Sequence, residues 1–225
     1  MLTAAQCVSE NELASNINDK PVRLGEWNIT TDPDCEIFKN GQEYCAHNHL
    51  DVGIEEVVRH PNFTTVDRDT KHDIALIRLD RYVNFTNFIQ PVCLPILPRL
   101  RSSTFEGYRL DLVGWGTFDT KTSSIVKRKT NFEVGDLDEC RWTYSTIGVN
   151  VLKSNICATG KINGKTCWGD YGGPLLSRIT IDFRSVYTLV GVFSFSHKPC
   201  GHCNWPSVYT RVGAYIEWIE DNLKP

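Results

Sequence analysis

No apolar stretch in this 225-residue chain approaches the roughly 18 to 20 residues that a helix needs to cross a bilayer, so no membrane anchor is expected within it. Charge of one sign is scarce as well. The 24 Lys and Arg stand against 27 Asp and Glu, giving a net charge of −3 and a pI near 6.1, which leaves no global field to hold nucleic acid. The one basic run, Lys127-Arg128-Lys129, is short and reads as a solvated surface turn. Methionine occurs once, as Met1. No two C-x-x-C pairs stand at zinc-finger spacing, and no internal repeat or low-complexity tract is present. Met1-Leu2-Thr3-Ala4-Ala5 contains neither the basic segment nor the apolar run of a signal peptide.

What is abundant is cysteine, with nine in the chain. Three N-x-[ST] sequons, headed by Asn28, Asn62 and Asn84, point with the cysteines to disulfides and glycans in an oxidising, extracellular compartment. A secreted protein without a leader is contradictory, so the expectation is that segments preceding Met1 have been lost by truncation. With 41% hydrophobic and 23% charged residues, the chain can bury a sizeable core and is not expected to be disordered.

Short runs rich in Val, Ile, Leu and aromatics recur between turn signals. Val22–Trp27, Ile54–Arg59, Ile74–Leu79, Tyr108–Gly114, Lys129–Val134, Leu175–Leu176 and Leu189–Phe195 read as strands, an all-β rhythm. Two segments read as helices: Asp136–Tyr144, acidic at its start, and a closing amphipathic helix carrying Val212, Tyr215, Ile216, Ile219 and Leu223. The proline-rich stretch Gln90–Pro98 resembles a linker, which places a boundary between β subdomains near residue 100.

The segment Gly164-Lys165-Thr166-Cys167-Trp168-Gly169-Asp170-Tyr171-Gly172-Gly173-Pro174 resembles the nucleophile loop of trypsin-like serine proteases, where a serine stands between Gly-Asp and Gly-Gly-Pro. Four other pieces agree in order. Leu2-Thr3-Ala4-Ala5-Gln6-Cys7 resembles the general-base segment, His72-Asp73-Ile74-Ala75-Leu76 the triad aspartate segment, and Val113-Gly114-Trp115-Gly116 the start of the second barrel. Pro206-Ser207-Val208-Tyr209-Thr210-Arg211-Val212 fits the C-terminal part. The resemblance spans the chain and implies two six-stranded Greek-key β-barrels, residues 1–99 and 100–225, the first incomplete, with a C-terminal α-helix.

The departures from that family concern chemistry. A triad needs a hydroxyl, an imidazole that takes its proton, and a buried carboxylate that orients the imidazole. Gln6 stands at the histidine position, and an amide has no basic site near neutral pH. Tyr171 stands at the serine position, where its ring is expected to intrude on the space of a scissile carbonyl. Asp73 alone survives, with a structural role and the Gln6 amide as its expected donor. Gly169 and Tyr171 are the oxyanion-hole positions. Lys165 occupies the pocket position where trypsin-type enzymes hold an aspartate, Ser194 and Ser196 lie on the pocket wall, and Ser207 replaces a glycine that keeps the pocket open.

Cys35 and Cys45 are close enough to close one surface loop. The resemblance implies Cys140–Cys157 and Cys167–Cys200 as further disulfides, and partners upstream of Met1 for Cys7 and Cys93; Cys203 has no counterpart. The loop from Leu24 to Glu36 resembles arthropod clip-domain proteases and their homologues. Glu26 and Asn28 begin a loop that binds calcium in some relatives, but no full ligand set is evident. His47 and His49 flank Asn48 and read as solvent-facing loop histidines rather than metal ligands, and Cys200 with His202 and Cys203 offers too few ligands for a metal site, so no metal or cofactor is expected. Asp170, which in active relatives pairs with a newly released N-terminal amine, must be solvated here or find another donor. The resemblance thus implies a non-catalytic, secreted homologue that binds other extracellular proteases or their zymogens in an immune or melanisation cascade. The alternatives are an active trypsin-like endopeptidase and a truncated, non-functional fragment.

Overall fold

A computed structural model describes residues 1–8, 21–66, 69–116, 123–160, 170–197 and 205–224. In the first half, strand β1 (Leu2–Thr3) is followed by β2 (Val22–Leu24), β3 (Cys35–Ile37), β4 (Glu43–Cys45), β5 (Leu50–Val52), β6 (Ile54–Arg59), β7 (Thr64–Val66), β8 (Asp69–Lys71) and β9 (Ala75–Leu79). Among the described residues they form a three-stranded sheet in the order β1-β9-β6 and three antiparallel pairs, β2 with β5, β3 with β4, and β7 with β8. Among the described residues these strands do not close into a barrel. The expected strand Val22–Trp27 stops at Leu24, because Gly25 takes a φ of +78° and turns the chain into the Glu26–Asp34 loop.

The second half closes. Strands β10 (Arg109–Gly114), β11 (Arg128–Val134), β12 (Asn155–Gly160), β13 (Pro174–Ile181), β14 (Arg184–Phe195) and β15 (Ser207–Arg211) form a barrel in the order β10-β11-β12-β15-β14-β13. Alternate residues point inward. Leu110 and Leu112 of β10, Phe132 and Val134 of β11, and Ile156 and Ala158 of β12 meet in one buried cluster. The run of basic residues is not a turn, since Arg128 and Lys129 open β11. Lys127 reaches the first half, its Nζ donating to the Glu26 carbonyl at 2.9 Å.

A helix covers Leu137–Ser145, with Asp136 as its N-cap accepting from the Glu139 amide at 2.7 Å. Cys140 bonds Cys157 and clips this helix to β12, while Cys35 bonds Cys45 directly across the β3–β4 pair. The Cys167–Cys200 pairing lies outside the described residues. At the C-terminus a 3₁₀ turn, Val212–Tyr215, leads into a helix over Ile216–Asp221. Val212, Tyr215, Ile216 and Ile219 pack on Ile74 and Val192. Leu223 does not complete that stripe: the helix has ended, and its side chain is exposed.

Candidate functional site

Asp73 is the centre of the site. It is 1% exposed and sits between β8 and β9, after His72, whose φ of 50° turns the backbone sharply. Gln6 and Ser194 donate to its carboxylate. The Gln6 amide nitrogen lies 2.9 Å from Oδ1, Gln6 Nε2 lies 2.6 Å from Oδ2, and Ser194 Oγ lies 2.6 Å from Oδ2. Thr210 Oγ1 donates to the Asp73 carbonyl at 2.8 Å, fastening the residue to β15. Burial pushes the Asp73 carboxyl above its ordinary value, outweighing the opposite pull of Ser194 and Gln6.

Gln6 lies in a single 3₁₀ turn, Ala5–Val8, directly after β1. Its Nε2 also donates to the Ser194 carbonyl at 2.6 Å. Both neighbours of that atom accept hydrogen bonds, which assigns the nitrogen end of the amide to them. Both of its hydrogens are thereby used. Ser194, expected on a pocket wall, is buried with its hydroxyl on Asp73. Ser207 is likewise buried, and Ser196 is half-buried. Lys165 and Gly169 lie outside the described residues.

Tyr171 follows Asp170 in the turn before β13 and is 41% exposed. Its ring stacks on Phe193, with centroids 5.3 Å apart and planes 18° apart. Burial raises its phenol above the ordinary value, and the neighbouring Cys7 adds to the rise. A phenol so placed is a poor nucleophile at neutral pH. Gly172 then has a φ of +77°, and a Cβ there would stand 2.3 Å from Thr3 Oγ1. Only glycine lets this turn approach the first half so closely.

Asp170 has found other donors. Its Oδ2 accepts from the backbone amides of Trp115 at 2.6 Å and Gly116 at 2.9 Å.

Around the Glu26–Asp34 loop, acids meet internal partners. Glu26 Oε1 accepts from the Trp27 amide, and Asp34 Oδ2 accepts from the Trp27 and Asn28 amides. His49 Nδ1 stands 3.3 Å from Asp32 Oδ2, so this histidine does not face solvent as expected, whereas His47 packs edge-on against Phe88. Cys93 is an exposed thiol.

One cluster escaped the sequence reading. His60 and His72 stack with centroids 5.1 Å apart, Tyr215 lies edge-on to both, and His72 Nδ1 is 3.1 Å from Tyr215 Oη. Neither the spacing of the two histidines nor the apolar stripe signals this meeting, because Tyr215 comes from the far end of the chain.

Comparison with known proteins agrees with this architecture. The family profile described as Trypsin matches residues 1–219. The Spaetzle-processing enzyme of Drosophila melanogaster is 41% identical over 226 residues, covering 100% of this chain and 56% of that protein. Melanization protease 1 of the same organism is 40% identical over 224 residues, covering 100% of this chain and 56% of its own length. The crystal structure of the Drosophila Grass clip serine protease of the Toll pathway superposes with a TM-score of 0.82 at 33% identity, covering 98% of this chain and 60% of that one. The chain therefore spans little more than half the length of these relatives.

Proposed function

The chain belongs to the trypsin family, and on that premise we propose that it is a non-catalytic homologue that acts by binding other proteases. The observation that carries this reading is the side chain of Gln6. It sits on the surviving carboxylate, donates from one nitrogen to both Asp73 and Ser194, and offers no site that could take a proton. Tyr171, at the family's serine position, supplies a phenol whose acidity is lowered further by burial. A hydroxyl without a base is not activated, and whatever transition-state stabilisation the backbone retains does not give useful peptide hydrolysis.

A preserved scaffold with altered chemistry favours recognition over turnover. Relatives named for Spaetzle processing, melanisation and the Toll pathway suggest the setting, an extracellular cascade of arthropod immune proteases. The partner class is a trypsin-family protease or its zymogen. Secretion is supported by the Cys35–Cys45 and Cys140–Cys157 disulfides, since such bonds persist in oxidising compartments.

The test is a binding and activation assay with the protein at its full natural length and trypsin-family zymogens from the same tissue. The proposal expects a saturable complex and a changed rate of zymogen cleavage. Neither binding nor any change in rate would remove it.

A further inference from the structure

The loop Arg81–Ile89 presents an aromatic surface that is exposed among the described residues. Tyr82 is 98% exposed, Phe85 65% and Phe88 38%. Beside them is a surface groove of about 360 Å³ whose lining includes His47, Tyr82, Asn84, Thr86 and Phe88. The Phe88 ring forms one side, with the His47 and Tyr44 rings each 6.1 Å from it. The loop is anchored at its start, where Arg81 Nη2 donates to the Asp51 carbonyl, and is braced from within by Thr86 Oγ1, which accepts from the Phe88 and Ile89 amides. A tyrosine left almost wholly in water, on an anchored loop beside other exposed rings, is a surface made for an occupant.

We infer that Asn84 carries an N-linked glycan whose first N-acetylglucosamine lies on the Tyr82 ring and fills this groove. Asn84 heads the sequon Asn84-Phe85-Thr86, is itself exposed, and lines the same groove as Tyr82 two residues before it. The occupant is therefore delivered covalently to the place it covers. In the modification, Asn84 Nδ2 attacks C1 of a lipid-linked oligosaccharide. The C1–Nδ2 bond forms, the C1–O bond to the lipid diphosphate breaks, and Nδ2 loses one proton; nothing is oxidised or reduced. The sugar then sets its C–H face on the phenol ring, while its acetamido and hydroxyl groups face water. The inference rests on the extracellular reading, because only a chain in the secretory pathway meets that donor.

The test is to secrete the full chain from a eukaryotic host and map occupancy at Asn28, Asn62 and Asn84 by mass spectrometry. Glycan release by a peptide-N-glycosidase is then timed on the folded protein. Tyr82→Ser removes the ring at a fully exposed position, so the variant keeps its fold. The expected result is an occupied Asn84 whose release quickens about fivefold in Tyr82→Ser, the factor that one aromatic stacking contact supplies, with Asn62 unchanged. A bare Asn84 beside an occupied Asn28 or Asn62, with or without pairing of copies through the groove, overturns this inference alone. So does release at Asn84 that Tyr82→Ser leaves unaltered. A chain with none of the three sequons occupied overturns the extracellular reading with it.

Discussion

Gln6 Nε2 stands 2.6 Å from Asp73 Oδ2, so the carboxylate at the heart of the site is satisfied by an amide. That contact is the one on which the proposed non-catalytic role rests, because the amide has no site to take a proton. The Ser194 hydroxyl completes the arrangement at 2.6 Å from the same oxygen.

Gln6→Ala removes a donor from a buried charge while leaving the backbone amide in place. A loss of about 1–3 kcal/mol is expected, the cost of an unsatisfied buried polar group. A urea melt reads it as a lower midpoint at constant slope. Ser194→Ala should lose a similar amount, and the double variant should show coupling, since both side chains serve Oδ2.

The stacked histidines predict an acid-side weakness. Burial lowers both imidazoles from 6.5, His60 further through the His72 charge and His72 further through Lys71; the Tyr215 hydroxyl faces His72 as a hydrogen-bonding partner. The unfolded chain therefore binds more protons than the folded one in this window. Stability is complete above about pH 6.5 and falls as pH drops through that value toward the lowered folded pKa. Replacing His60 by Asn should flatten this slope, which unfolding midpoints between about pH 5 and 7.5 would reveal.

At the β13–β14 hairpin, Asp182 and Phe183 both adopt positive φ, 48° and 62°, and Phe183 is fully exposed. Two-residue hairpins of this hand favour glycine there, and a ring in water returns nothing for the strain. Phe183→Gly should stabilise the chain by about 1 kcal/mol, visible as a higher midpoint.

Of the two disulfides among the described residues, Cys140–Cys157 lies in a buried cluster with Tyr144 and Val208, whereas Cys35–Cys45 joins an exposed hairpin. Replacing Cys140 and Cys157 by Ala should cost about 2–4 kcal/mol. The same change at Cys35 and Cys45 should cost less, as comparative melts would show.

Much of this was legible before any coordinates. Leu110, Leu112, Phe132 and Val134 alternate with polar residues as an inward-facing strand pair requires, and Asp136 announced the helix it caps. The meeting of Gln6 with Asp73 was readable because short motifs flank both residues. What stayed hidden depends on distant partners. The sequence pointed to no partner for the Ser194 hydroxyl, which bonds Asp73, 121 positions away. Lys127 looked like part of a solvated turn, but the Glu26 carbonyl it reaches belongs to the other half of the chain. Strand β15 was missed as a strand because its Ser207–Arg211 segment lacks a clean alternation, being buried at four of five positions within the closed barrel.

The most direct measurement is covalent labelling of the folded chain with a fluorophosphonate, followed by mapping of adducts by mass spectrometry. A triad activates its nucleophile toward this reagent, whereas the amide of Gln6 activates nothing. The account predicts no adduct at any residue. A stoichiometric adduct on the folded chain, at Tyr171 or elsewhere, would show an activated nucleophile and contradict it.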